Sequence, residues 1–470
     1  MNTGNVPNGG KVMMHRRGFL TLASVLLAGW MAEMSTTQAS ARATASRKHR
    51  IVVIGAGLAG LAAARQLQAS GHEVAVVEAR ARSGGRIWTS TQWPDMPLDL
   101  GATWIHGITG NPLTELAQTI QARRRMTSYE SSLTYGTTGA PLSAAETARL
   151  EHLRDQVFQS LHAAQARDAD RSVRQAVASS TAPIAATPET RRLVNFILSG
   201  EIEQEYAGSA NRLSAHWYDS AKAFPGEDAL FVDGFRVITD ELARGLRIEL
   251  AQVVQAIHWD QSPVRVITDK TEFRADQVLV TLPLGVLQAD SVQFTPALPP
   301  AKQDAIAKLG MGVLNKCYLR FAEAFWPTDV DWIEYIPARH GAWTEWVSFM
   351  QAANLPVLLG FNAADRGREI EAWSDQAIVA SAMRTLRTIY GQGIPEPLDH
   401  QITRWATDPF ALGSYSYNPV GATPDMRKAL ARPVNGVLFF AGEATEKDYF
   451  STAHGAYLSG LRAAREMLAA

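Results

Sequence analysis

The chain has 470 residues, 46% of them hydrophobic and 19% charged, with a formal net charge of −1. That length holds two or three domains or one interleaved unit, and the near-neutral balance leaves no electrostatic footprint for nucleic acid. The single cysteine, Cys317, excludes an intramolecular disulfide, a cysteine-rich zinc site and an iron–sulfur cluster.

Residues 1–45 read as an export signal and are set aside from the fold. Arg16 and Arg17 stand directly before an apolar run, 19–32, and Ala-x-Ala cleavage geometry follows at 39–41 and 43–45. The run is shorter than the roughly 20 apolar residues of a membrane span, so no stable span is expected once the signal is removed. The paired arginines with Phe19 and Leu20 resemble a twin-arginine signal, which exports folded proteins and implies a periplasmic location. A Sec signal or an uncleaved anchor is the alternative.

Residues 51–54 read as a strand, 61–69 as a helix and 74–77 as a second strand, with Gly55-Ala56-Gly57-Leu58-Ala59-Gly60 as the turn between. Gly55 permits the tight turn, Gly57 lets a pyrophosphate approach the backbone, and Gly60 lets helix and strand pack closely. Glu78 ends the second strand, placed to accept from ribose hydroxyls. Strand, turn, helix, strand and acid together make a βαβ nucleotide site. Gly84-Gly85-Arg86 follows as either a surface turn or a second backbone turn with a cation near the pyrophosphate.

Further along, "LDLGATWIHGITGNPL" (98–113) carries His106 behind Trp104 and Ile105. A lone histidine is usually structural, although an imidazole titrates near neutrality and can act as base or acceptor. A helix is expected across 142–180, with Leu150, Leu153, Val157 and Leu161 on one face. Glu201, Glu203 and Glu205 then form either a solvated acidic turn or a site for cationic nitrogen. Residues 234–285 read as a helix and several strands. The strand at 312–321 contains Lys316 among apolar residues, so Lys316 is either exposed on an edge strand or the polar tip of a site. Alternation puts Cys317 on the opposite face. Trp405 and Tyr415 read by themselves as core aromatics. A strand at 437–440 leads into Ala441-Gly442-Glu443, and a helix begins near His454.

These segments together resemble the flavin amine oxidase superfamily, in its polyamine and spermine oxidase branch, from about residue 50 to 468. The resemblance implies an α/β fold: a Rossmann-like FAD-binding domain (46–125, 220–289, 401–470) interleaved with an α+β substrate domain (126–219, 290–400). It implies that Gly55, Gly57, Leu58, Ala59, Gly60, Glu78, Arg80, Gly85, Arg86, Val253, Trp405, Gly442, Glu443, Thr452 and Ala453 hold FAD, Val253 through its backbone on the adenine side. It implies a noncovalent flavin, because Ser414 replaces the linking cysteine of monoamine oxidases. Lys316 would approach the flavin through a water, His106 would face the substrate as acceptor or base, and Tyr415 would wall one side of the cage. Ser451 and Thr452 stand where monoamine oxidases complete an aromatic sandwich, leaving a cage suited to a long linear amine. Glu205 would bind one of its distal cationic nitrogens.

The implied reaction is hydride transfer from the carbon beside an amine to flavin, giving an aminoaldehyde, a shorter amine and, with molecular oxygen, hydrogen peroxide. The reacting nitrogen must be neutral, which at pH 7 costs about 4.6 kcal/mol for a lysine-like amine. An L-amino-acid oxidase on the same scaffold would need an arginine for the substrate carboxylate, and the resemblance implies none in the motifs that face the substrate. An amine dehydrogenase with another electron acceptor and a histone demethylase-like flavoprotein are the other rivals.

Overall fold

The computed structural model describes residues 48–181 and 187–470; the export signal expected at 1–45 lies outside the described residues. A five-stranded parallel sheet runs in the order Leu438–Phe440, Gln277–Val280, Arg50–Ile54, Glu73–Val77, Arg247–Glu249. Such strands are covered on both faces and read as near-continuous apolar runs. On one face lie the helices Leu58–Ala69 and Ala453–Leu468, drawn from opposite ends of the chain and packed with Val53 and Leu279. A Cβ at Gly460 would stand 2.2 Å from the Ala59 carbonyl oxygen, so only glycine permits this approach. On the other face, Val52, Ile54 and Val278 pack against a second sheet containing Val254–His258 and Val264–Thr268.

A third sheet has six strands, in the order Asp399–Ile402, Leu314–Arg320, Val357–Ala363, Glu345–Ser348, Trp332–Tyr335, Ser132–Tyr135. Its pairings are antiparallel except for Trp332–Tyr335 with Ser132–Tyr135. Strand Leu314–Arg320 is hydrogen-bonded on both sides, which overturns the edge-strand reading of Lys316. Cys317, Leu319 and Phe321 face the helix Asp375–Tyr390. Tyr318, Leu359 and Phe361 face the opposite way, onto Leu98, Leu100 and Trp104. The six-stranded sheet therefore lays one face against the segment that leaves the nucleotide fold.

The helix expected across 142–180 is two helices, Ala144–Gln165 and Val173–Thr181. Ser143 and Glu146 form a capping box that starts the first, and Leu150, Leu153, Val157 and Leu161 are buried as expected. The break comes where Ser172 and Gln175 repeat the device: the Gln175 N–H donates to Ser172 Oγ and the Ser172 N–H to Gln175 Oε1, at 3.2 and 3.0 Å. A wide π-helical segment, Leu198–Glu203, then carries the chain toward the site.

Candidate active site

The two glycine turns are locked against each other. The Gly84 N–H donates to the Ala56 carbonyl at 2.8 Å, and a Cβ at Gly85 would stand 3.2 Å from Gly57 Cα. Gly55 has φ +104, which glycine alone adopts without strain. Gly57 begins the helix with no capping side chain, so the first backbone N–H groups, at Leu58, Ala59 and Gly60, have no partner within the helix. A Cβ at Gly57 or at Gly442 would meet nothing within 4 Å. The backbone at both points thus borders open space, as a cofactor pyrophosphate requires. Glu78 is buried, and its carboxylate accepts from the Ala56 N–H at 2.7 Å and the Arg80 N–H at 2.9 Å.

Two expected contacts are differently used. The Arg80 guanidinium grips Asp408 at 2.9 and 2.5 Å, so it brings no free cation to the cradle. The Val253 N–H donates to Asp269 Oδ1 at 2.8 Å, and its carbonyl accepts from the Asp269 N–H at 2.9 Å. An adenine cannot take that N–H while the Asp269 turn holds it. Arg82, which sequence reasoning passed over, braces the second glycine turn by donating to the Ser83, Gly85 and Ile87 carbonyls.

Lys316 is 5% exposed and reaches across to the 99–103 segment. Its ammonium donates to the Asp99 and Gly101 carbonyls, both at 2.7 Å, and to Thr103 Oγ1. Tyr318 Oη also donates to the Asp99 carbonyl, at 2.8 Å, and Trp405 Nε1 donates to the Leu100 carbonyl at 3.1 Å. An ammonium has three donors, and all three are taken by protein. The expected water link to flavin is therefore not what this cation holds here; it staples the segment that leads to His106. Burial pulls Lys316 down to about 7, against the attraction of Asp99. Burial likewise pushes Asp99 up to about 6, opposed by the Thr89 hydroxyl, the Phe235 N–H and Lys316.

Glu443 ties the cofactor side to the expected substrate wall. Its carboxylate takes Arg86 Nη1 at 2.8 Å, Ser416 Oγ at 2.6 Å and the Ser451 N–H at 3.1 Å. Burial works to raise its pKa, but Arg86, Ser416 and Arg427 prevail and hold it below the usual range. The same Arg86 nitrogen donates to the Ser414 carbonyl at 2.9 Å. One ion pair thus gathers the segments on either side of Tyr415 and just before Thr452. Tyr415 Oη donates to the Gln204 carbonyl at 2.7 Å, bringing that ring beside Glu205. The Ser451 hydroxyl donates to the Ser416 carbonyl. Thr452 caps the last helix, accepting from the Gly455 N–H at 2.9 Å and donating to the Tyr449 carbonyl at 2.7 Å; Ala453 is the first helical residue. Both wall hydroxyls are accordingly engaged within the protein. Arg427, fully buried and 4.0 Å from the Phe450 ring centre, supports this knot through Ser416 Oγ at 2.7 Å; nothing in its sequence context flagged it.

His106 is held by a different carboxylate. Its Nδ1 lies 2.7 Å from Asp228 Oδ2, while the Gly107 N–H donates to Asp228 Oδ1 at 2.9 Å. Asp228 was invisible to sequence reasoning because its partner is 122 residues away. Of the three glutamates, Glu201 and Glu203 are not on a solvated turn. Glu201 pairs with Arg154 at 2.6 Å, and Glu203, 4% exposed, takes His340 at 2.7 Å and the Ala210 N–H at 2.8 Å. Glu205 is half-buried on the short helix Gln204–Tyr206. Among the described residues no cluster of metal ligands occurs, and no helix is long and apolar enough to cross a membrane.

A nucleotide cradle built from both ends of the chain, with a stapled loop lying on the six-stranded sheet, is the architecture of a dinucleotide-binding protein. The family model for flavin containing amine oxidoreductase matches residues 58–468, and the chain belongs to that family. Membership makes it an enzyme of the flavin amine oxidase type, and the flavin of that family makes FAD its cofactor. It is 32% identical to Polyamine oxidase 2 of Arabidopsis thaliana over 439 residues, covering 90% of this chain and 88% of that one. It is 35% identical to Lysine-specific histone demethylase 1 homolog 1 of Oryza sativa subsp. japonica over 447 residues, or 89% of this chain. The chain spans about half of that relative's length, 52%. A solved putrescine oxidase double mutant, redesigned in cofactor binding, shares the fold with TM-score 0.71 at 20% identity, covering 90% of this chain and 99% of that one.

Proposed function

We propose that the enzyme oxidises linear polyamines of the spermine and spermidine kind, yielding an aminoaldehyde, a shorter amine and hydrogen peroxide. FAD, when bound, supplies the acceptor for the hydride and passes the electrons to oxygen. The residues Gly55, Gly57 to Gly60, Glu78, Gly85, Arg86 and Gly442 would hold it, noncovalently: Ser414 offers no thiol, and Cys317 is 2% exposed in a core behind the six-stranded sheet. The observation that carries the substrate reading is the wall itself. Tyr415 supplies one aromatic side, while Ser451 and Thr452 leave the other side small and non-aromatic, which suits an unbranched amine. Glu205, one residue past the carbonyl that Tyr415 grips, is the carboxylate for a distal ammonium. Lys316 holds the 99–103 backbone and places a cation beside the reaction site. Arg16 and Arg17 support export to the periplasm as part of the same proposal.

The identity to histone demethylase homologues supports a second reading, with an N-methylated lysine as the amine. Turnover assays with spermine, spermidine and an N-methyl-lysine peptide, read as peroxide and as product masses, separate the two. Aminoaldehyde from the polyamines supports the first reading; formaldehyde from the peptide alone supports the second. Stopped-flow reoxidation in air tests the acceptor: reduced enzyme that persists for minutes in oxygenated buffer would overturn the oxidase assignment.

A further inference from the structure

We propose that Asp228 is a positioning residue that presents His106 Nε2 as the proton acceptor for the substrate ammonium. The inference deepens the amine-oxidising reading and rests on it for the identity of the proton donor. Residues Trp104–Ile105 pair with Ala229 and Leu230 of the strand Asp228–Phe231, so Asp228 falls opposite His106 by register. Ile105 is fully buried in the core of the nucleotide fold. Strand alternation therefore sends Trp104 and His106 the other way. That is the side on which Lys316 Nζ lies 5.9 Å from the Trp104 ring centre.

The carboxylate is oriented from two directions, taking the Gly107 N–H on Oδ1 and the His106 ring on Oδ2. An ionised carboxylate only accepts, so it selects the tautomer with hydrogen on Nδ1 and leaves the lone pair on Nε2. Nε2 meets no partner among the described residues and is not sealed in the core. Asn111 fixes the backbone beneath: its Nδ2 donates to the His106 and Gly107 carbonyls, both at 3.1 Å. The loop is thus pinned while one ring nitrogen stays available. In the step proposed, an N–H bond of the substrate ammonium breaks and its proton passes to Nε2. The electron pair remains on the amine nitrogen, and the resulting imidazolium is stabilised by Asp228.

The test begins with the FAD-loaded protein labelled with 15N-histidine. Resonances of His106 are assigned by their loss in His106→Gln, and its tautomer is read from ring 15N shifts. Wild type should show hydrogen on Nδ1, and Asp228→Asn and Asp228→Ala should shift the ring toward hydrogen on Nε2. The same tautomer in all three would overturn the proposal. Asp228→Asn, nearly isosteric, keeps the test available if Asp228→Ala does not fold. Anaerobic flavin reduction by spermine is the second readout. His106→Ala and Asp228→Asn should each slow it on the order of 10²-fold. The double variant should be no slower than His106→Ala, because Asp228 acts through the ring; multiplied losses would refute that. If no amine reduces wild-type flavin, the substrate reading fails while the tautomer result still decides the role of Asp228.

Discussion

Lys316 shows how a single residue changes meaning with its surroundings. In sequence it is one cation in an apolar strand; in the fold it fastens three points of a loop with an ammonium that has no donor to spare. Lys316→Met should keep FAD but slow flavin reduction, reoxidation or both on the order of 10²-fold, as misplacing the segment that it staples ahead of His106 does. Stopped-flow kinetics checks this, and wild-type rates would refute it. A second expectation follows from its titration. Burial lowers Lys316 to about 7 from an ordinary 10.5. Between those values the unfolded chain holds a proton that the folded chain lacks, so stability rises with pH across that window. The wild-type Tm should therefore gain on that of Lys316→Met as pH rises from about 7 to about 10. A difference that stays flat or falls contradicts a lysine that gives up its proton more readily in the fold than in the unfolded chain. The place of Lys316 on the opposite face from Cys317 was legible in the sequence, because strand alternation fixes it; its burial was not, because only the pairing of its strand on both sides removes the edge position. Its partners were not, because Asp99 and Gly101 lie 217 and 215 residues away. Asp228 was hidden from sequence reasoning for the same reason.

At the scale of elements, two glycines three residues apart in the first turn carry opposite burdens. A Cβ at Gly57 meets open space, whereas one at Gly60 would stand 2.0 Å from the Gly55 carbonyl oxygen. Gly57→Ala should fold with near-native stability yet lose bound flavin, read as visible absorbance after purification. Gly60→Ala should be destabilised by about 1–3 kcal/mol even before cofactor is considered, read by denaturant unfolding. If both variants lose only flavin, the packing role of Gly60 is wrong. The last helix offers a parallel case. Thr452→Ala removes the hydroxyl that caps it and should cost about 1 kcal/mol, most of which Thr452→Ser should restore. The βαβ turn was legible because glycine spacing, apolar strands and a terminal acid are local signals. The division of the 142–180 helix turned on one Ser172–Gln175 capping box, a weaker local signal than the continuous apolar face before it. The partners of Arg80 and Val253, Asp408 and Asp269, were not legible, because only tertiary structure supplies them.

For the whole molecule, the path of the chain makes the glycine cradle and the proposed substrate wall one structure. The parallel sheet draws strands from the beginning, middle and end of the described chain. The Arg86–Glu443 pair then links that sheet's carboxyl edge to the segments around Tyr415 and Thr452. Substrate selection should follow from that wall and from Glu205. The most direct test is anaerobic mixing of the purified flavoprotein with spermine, spermidine, putrescine, tyramine, an N-methyl-lysine peptide and L-amino acids, with flavin bleaching followed by absorbance. Rapid reduction by spermine or spermidine, with tyramine and the amino acids inert, is the expected result. No reduction by any polyamine, or preferential reduction by an arylalkylamine or amino acid, would contradict it.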